Sequence, residues 1–153
     1  MDTSTRRSPP ACFRACCRVE RASAEGCACA SPCSRWASAG GIAAAYAIGL
    51  TDRFRAAAVA KPVINWISKT LTGDIYTSQI DHQFPGPPWE EFEHYWKRSP
   101  LSLVGNVTTP TLLITGEDDY RTPISETEQY YQALKLRRVD TVMVRPRPPV
   151  GRS

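Results

Sequence analysis

Trp36-Ala37-Ser38-Ala39-Gly40-Gly41, followed by the apolar run Ile42 to Leu50, is the stretch on which the reading of this chain turns. A serine, one small residue, two glycines and a short apolar helix are the parts of a nucleophile elbow. In such an elbow the serine stands on a tight strand-to-helix turn, where small neighbours avoid clashes and the helix N-terminus favours developing negative charge. The usual pattern is G-x-S-x-G, and here Trp36 holds the first glycine position, where a bulky side chain crowds the turn. The second half of the motif is present and the first half is altered. A serine before two glycines is also the composition of a plain loop, so both readings stand at this point.

The 153 residues allow one domain with a core of ordinary size. A formal charge of +4 is mildly basic, and no Lys/Arg-rich run with interleaved aromatics points to nucleic acid. No apolar stretch reaches the ~18 residues of a membrane-spanning helix. The N-terminus carries arginines but no continuous apolar h-region, so the expected location is cytoplasmic. No cofactor is implied.

Residues 1–35 differ in texture from the rest. All six cysteines lie here (Cys12, Cys16, Cys17, Cys27, Cys29, Cys33), with six arginines and no lysine before Lys61. The spacings C-x3-C-C and C-x-C-x3-C fit paired zinc-ligand units poorly, so no metal is expected. An even cysteine count would suit a disulfide module, but nothing marks the chain as secreted. The reading is a disordered leader, and its Arg, Ala, Pro, Ser, Cys and Gly content also fits out-of-frame translation of a GC-rich gene.

Residues 36–145 read as an α/β domain. Gly41 to Leu50 is apolar nearly all round, as in a buried helix. Phe54 to Ile64 contains an apolar run suited to a parallel strand covered on both faces. Asn65 to Pro88 looks irregular, and Trp89 to Lys97 looks like a short helix stopping before Ser99-Pro100. Thr111 to Thr115 is a second buried strand, and Gly116-Glu117-Asp118-Asp119 a loop at its C-terminal end. Thr122-Pro123 suggests an N-cap and first helical residue for an amphipathic helix to about Lys135, its apolar face using Tyr130, Tyr131 and Leu134. Val139 to Val144 is a third strand candidate. Strand, loop, helix, strand describes a parallel α/β sheet. Pro146 to Ser153 (residues 146–153) is a disordered tail.

Several blocks together carry a resemblance. They are Ser38-Ala39-Gly40-Gly41, Thr51-Asp52-Arg53-Phe54, Ala60-Lys61-Pro62-Val63, Tyr95-Trp96-Lys97-Arg98-Ser99-Pro100, Thr109-Pro110 and Gly116-Glu117-Asp118-Asp119-Tyr120-Arg121-Thr122-Pro123. From residue 38 to about 144 the chain resembles the C-terminal part of the catalytic domain of the prolyl oligopeptidase family, near its acylaminoacyl-peptidase and dipeptidyl-peptidase-like members. The resemblance implies a partial α/β-hydrolase fold with triad order Ser, Asp, His. It matches Ser38 to the nucleophile, the Ala39 N–H to an oxyanion donor, and Asp119 to the acid that orients the imidazolium. Glu117 and Asp118 read as solvated loop acids. It implies a peptide substrate cleaved through an acyl-enzyme; oligomeric state is not legible.

The departures from the family pattern are specific. The histidine should follow the third strand in a segment like P-G-A-S-H, where this chain has Pro146 to Ser153 and no histidine. Its two histidines, His82 and His94, precede Asp119 and match no catalytic position. The strand leading into the elbow is expected to be replaced by the cysteine-rich leader. The upstream part of the domain, a second oxyanion donor and the family's β-propeller have no counterpart in it. The chain thus reads as an interior piece of a serine peptidase, inactive without its base. A generic esterase is disfavoured by Tyr-Trp-Lys-Arg-Ser-Pro, and a non-catalytic product stands as the reading from another class.

Overall fold

The computed structural model describes residues 33–37 and 39–146. Four strands, β1 (Cys33–Ala37), β2 (Ala56–Ala60), β3 (Thr111–Ile114) and β4 (Thr141–Val144), form one sheet in the order β1-β2-β3-β4. Every neighbouring pair is parallel. Three strands were expected from the apolar runs, and the fourth is β1. The expectation that the leader replaces the strand before the elbow is therefore corrected. Cys-Ser-Arg-Trp-Ala shows no apolar period, and its backbone is placed by pairing along the whole of β2, Cys33 with Ala56 through Ala37 with Ala60. The expected boundary between residues 35 and 36 thus cuts through a strand; residues 1–32 and 147–153 lie outside the described residues.

Helix α1 (Ala39–Leu50) and helix α5 (Ile124–Leu136) flank the sheet. Their Ala44, Ala45, Ile48, Tyr130 and Leu134 share a core with Ala57 and Val59 of β2 and Leu113 of β3. Ala57, Val59 and Leu113 lie on one face, because side chains alternate along a strand and Val59 is in register with Leu113. Alanine is a poor strand former on its surface propensity, yet β2 is Ala-Ala-Ala-Val-Ala. Central position and the burial of Ala56 to Val59 decide it, and small side chains let α1 come close. Gly41 shows how close: a Cβ there would stand 2.4 Å from the Ala60 carbonyl oxygen.

The stretch expected to be irregular holds two short helices, α2 (Trp66–Thr72) and α3 (Tyr76–His82). Asn65 caps α2, its side chain accepting the Ile67 N–H at 3.1 Å, and Gly73 closes it. These caps are local, but the apolar period that would announce the helix is missing from Trp-Ile-Ser-Lys-Thr-Leu-Thr. Helix α4 (Phe92–Lys97) starts later than expected, and a 3-10 helix follows at Pro100–Asn106. The buried Ser99 joins the two regions. Its hydroxyl accepts the Trp66 N–H at 2.9 Å and donates to the Tyr95 carbonyl at 2.9 Å. No helix among the described residues is long and apolar enough to cross a membrane.

Candidate active site

Parallel strands send all their C-terminal ends to one edge, and the register makes that edge a single row, Ala37, Ala60, Ile114 and Val144. In an open parallel sheet this edge is where ligands bind. Lys61 follows β2 there, Gly116 to Arg121 follow β3, and Pro146 follows β4. With Asp74 they line an open cleft of about 570 Å³.

Asp119 is a firmly held carboxylate of that cleft. Its side chain is 12% exposed. Oδ1 accepts the Thr122 N–H at 2.8 Å, and Oδ2 faces the Lys61 ammonium at 3.1 Å. Partial burial pushes its carboxyl upward, but the Thr122 N–H, the Lys61 ammonium and the Thr122 hydroxyl outweigh that cost. The net result is a carboxyl below the ordinary aspartate range, charged at neutral pH. The Thr122 bond also corrects an expectation. Thr122 does not cap α5: Pro123 takes the cap position with no side-chain bond, and the helix begins at Ile124. Thr122 instead gives its N–H to Asp119, fixing the loop before the helix.

Beside this pair, Arg121 Nε donates to Asp74 Oδ1 at 2.8 Å, and the Asp74 N–H donates to the Tyr120 carbonyl at 3.2 Å. Both side chains of the Arg121–Asp74 pair are open to water. Glu117 and Asp118 are exposed, as expected.

The other matched positions fall unevenly. Ser38 lies outside the described residues. Its neighbours Ala37 and Ala39 are the last residue of β1 and the first of α1. Ala39 is exposed at the N-terminus of a twelve-residue helix. His82 is exposed at the end of α3, and His94 packs edge-to-face on Phe84 at 6.0 Å. Neither histidine lines the cleft with Asp119.

Two residues escaped the sequence reading. Lys61 was visible only as part of Ala-Lys-Pro-Val, and nothing local marks it as the partner of an acid 58 positions later (119 − 61). Glu126 is fully buried. Its Oε2 accepts the N–H groups of Ile64 at 3.0 Å and Asn65 at 2.8 Å, while Oε1 takes the Ser68 hydroxyl at 2.5 Å and the Gln129 amide at 3.4 Å. A signal existed: with a helical period, 126, 130 and 134 share a face, and Tyr130 and Leu134 were already assigned to the core.

The sequence profile of the prolyl oligopeptidase family matches residues 33–148. Over 108 residues the chain is 40% identical to the uncharacterized peptidase YuxL of Bacillus subtilis, covering 71% of this chain and 16% of that protein. It is 37% identical over 112 residues to the acylamino-acid-releasing enzyme of Arabidopsis thaliana, covering 67% and 14%. Among solved structures it superposes on the Pyrococcus horikoshii acylaminoacyl peptidase with a TM-score of 0.65 and 28% identity, covering 71% of this chain and 18% of that one. The puromycin-hydrolyzing peptidase of Mycobacterium tuberculosis gives 0.65 and 27%, covering 72% and 17%. The chain thus spans only about one-sixth of the length of the relatives it matches. The architecture is a partial α/β-hydrolase fold, its parallel sheet flanked by helices as in these neighbours. On profile, sequence and structure alike, the chain belongs to the prolyl oligopeptidase family.

Proposed function

We propose that this chain carries the nucleophile and acid of a serine peptidase that cleaves short peptides through an acyl-enzyme. Ser38 is the nucleophile, the Ala39 N–H an oxyanion donor, and Asp119 the acid. The names of the relatives suggest peptides with blocked N-termini as the substrate class. The observation that carries the reading is Asp119 itself. A carboxylate held ionised just beyond the C-terminal end of β3, in an open cleft, is what a triad needs to stabilise an imidazolium.

The same reading makes the 153-residue polypeptide catalytically silent. Triad chemistry needs a base within about 3 Å of the serine oxygen, to accept its proton and return it to the leaving amine. The sequence has no histidine after Asp119, and the cation that faces Asp119 Oδ2 is the Lys61 ammonium, at 3.1 Å. Losing one triad member leaves roughly 10³- to 10⁴-fold catalysis over water, supplied by the oxyanion hole and binding. A fluorophosphonate probe tests this, because labelling requires an activated serine. The expected outcome is no labelling of the purified chain. Stoichiometric labelling that Ser38→Ala abolishes would mean another group serves as base. Should a chain extended with a histidine segment after β4 also stay unlabelled, Ser38 would lose its assignment and the non-catalytic reading would stand.

A further inference from the structure

Two segments at the C-terminal edge of the sheet hold one another at two points. Residues 61–65 leave β2, and residues 119–126 run from the cleft into α5. At one end the Lys61 ammonium faces Asp119 Oδ2 at 3.1 Å. At the other, Glu126 Oε2 accepts the N–H groups of Ile64 and Asn65 at 3.0 and 2.8 Å. Lys61 itself adopts a positive φ of 49°, and its own N–H donates to the Ile114 carbonyl at 2.8 Å. A lysine in that left-handed conformation persists only where its surroundings hold it. Two N–H donors gripped by a buried carboxylate three and four residues further on are such a restraint.

We infer that Glu126 is a positioning residue for Asp119: by anchoring the backbone at Ile64 and Asn65 it fixes the loop that presents the Lys61 ammonium to the Asp119 carboxylate. Its meaning for catalysis rests on Asp119 being the triad acid, whereas the coupling itself does not. Glu126 is fully buried and outside the cleft lining, so it acts through the loop and not on substrate. The geometry suits the task. Both backbone donors converge on one oxygen, Oε2, leaving Oε1 to the Ser68 hydroxyl and the Gln129 amide. An amide at this position could therefore keep both backbone bonds through its single oxygen.

That property separates positioning from a field effect. Glu126 is held above its ordinary range and Asp119 below its own, so where Asp119 titrates Glu126 is already protonated, and replacing it by an amide changes no charge that Asp119 feels through space. Losing the grip on the loop raises the Asp119 titration, because the Lys61 ammonium leaves Asp119. The experiment follows the Asp119 carboxyl by carbon-13 NMR in the full chain across pH, in the wild type, Lys61→Met, Glu126→Ala and Glu126→Gln. Lys61→Met moves the Asp119 titration upward, toward that of a free aspartate. Glu126→Ala moves it the same way, and combining the two adds nothing to Lys61→Met alone. Glu126→Gln leaves it in place. An Asp119 titration unmoved or lowered by Glu126→Ala, or additive shifts in the double variant, overturns the inference. If Glu126→Ala does not fold, Glu126→Asp replaces it. That variant retains the carboxyl but withdraws it from both N–H groups, so it must also raise the Asp119 titration, and an unmoved value is equally fatal. These titrations are independent of probe labelling at Ser38, so the proposed function and this coupling fail separately.

Discussion

The open cleft around Asp119 and the closed pocket around Glu126 lie seven residues apart on one stretch of chain (126 − 119), and their carboxyls are displaced in opposite directions. In the cleft, partial burial is the largest single influence, but a backbone N–H, an ammonium and a hydroxyl together outweigh it, and Asp119 ends below its ordinary range. In the pocket, burial dominates. It pushes Glu126 above the ordinary glutamate range, and the Ser68 hydroxyl, the Asn65 and Ile64 N–H groups and the Gln129 amide only partly pull it back. Lys69 obeys the same rule. It is buried near Glu126, and desolvation lowers its pKa despite the opposing pull of Asp74 and Glu126. Dipoles alone do not offset full desolvation of a charge here, whereas a partly wetted carboxylate with a counter-ion keeps its charge. A triad acid must stay charged, so the wet site suits catalysis and the dry one suits anchoring.

Four measurements would break or sharpen this contrast. The largest effect belongs to Glu126→Leu, which leaves the Ile64 and Asn65 N–H groups without their acceptor in a dry pocket and the Ser68 hydroxyl with only the Asn65 carbonyl. The expected loss is about 3 kcal/mol in urea denaturation. A loss under about 1 kcal/mol would mean that water reaches the pocket.

The second is the pH dependence of stability. The folded-state pKa of Asp119 lies below its unfolded value of about 3.9, so its contribution is present above that value and fades as pH falls through the folded pKa. That of Glu126 lies above its unfolded value of about 4.3, so its contribution is complete below that and fades as pH rises through the folded pKa. Together the two place a stability maximum near about pH 4. Urea midpoints between about pH 3 and pH 7 should lose the falling limb in Glu126→Gln and the rising limb in Asp119→Asn. A falling limb that persists in Glu126→Gln would assign it to another group.

Third, Lys61→Met should cost only about 0.5 kcal/mol, because the ammonium is more than half exposed and its attraction is screened. A cost matching that of Glu126→Leu would make the cleft as dry as the pocket. The smallest effect is expected for Arg121→Ala, whose pair with Asp74 is exposed on both sides. Its urea midpoint should correspond to a change within about 0.5 kcal/mol.

What could be read locally was read from the chain alone. Ala56–Ala60, Thr111–Ile114 and Ile42–Leu50 announce themselves by unbroken apolar runs, and such runs need cover on both faces, which implies parallel strands with flanking helices. The block Gly116 to Pro123, through the family resemblance it carries, makes Asp119 a candidate acid, and in the structure Asp119 follows β3 and lines the cleft. Tertiary structure decided the rest. Cys33–Ala37 becomes a strand because β2 offers it a ladder, a partner more than twenty residues away that its own five side chains do not reveal. Lys61 meets Asp119, and Glu126 meets Ile64 and Asn65, across 58 to 62 positions of chain. Periodicity reports which face of an element is buried, not which distant backbone group will stand opposite a given carboxyl. Glu126 and the half-buried Glu128 are two residues apart with the same chemistry. Only the packing of α5 against the loop after β2 makes one an anchor and leaves the other at the surface, paired with Arg145 at 2.7 Å.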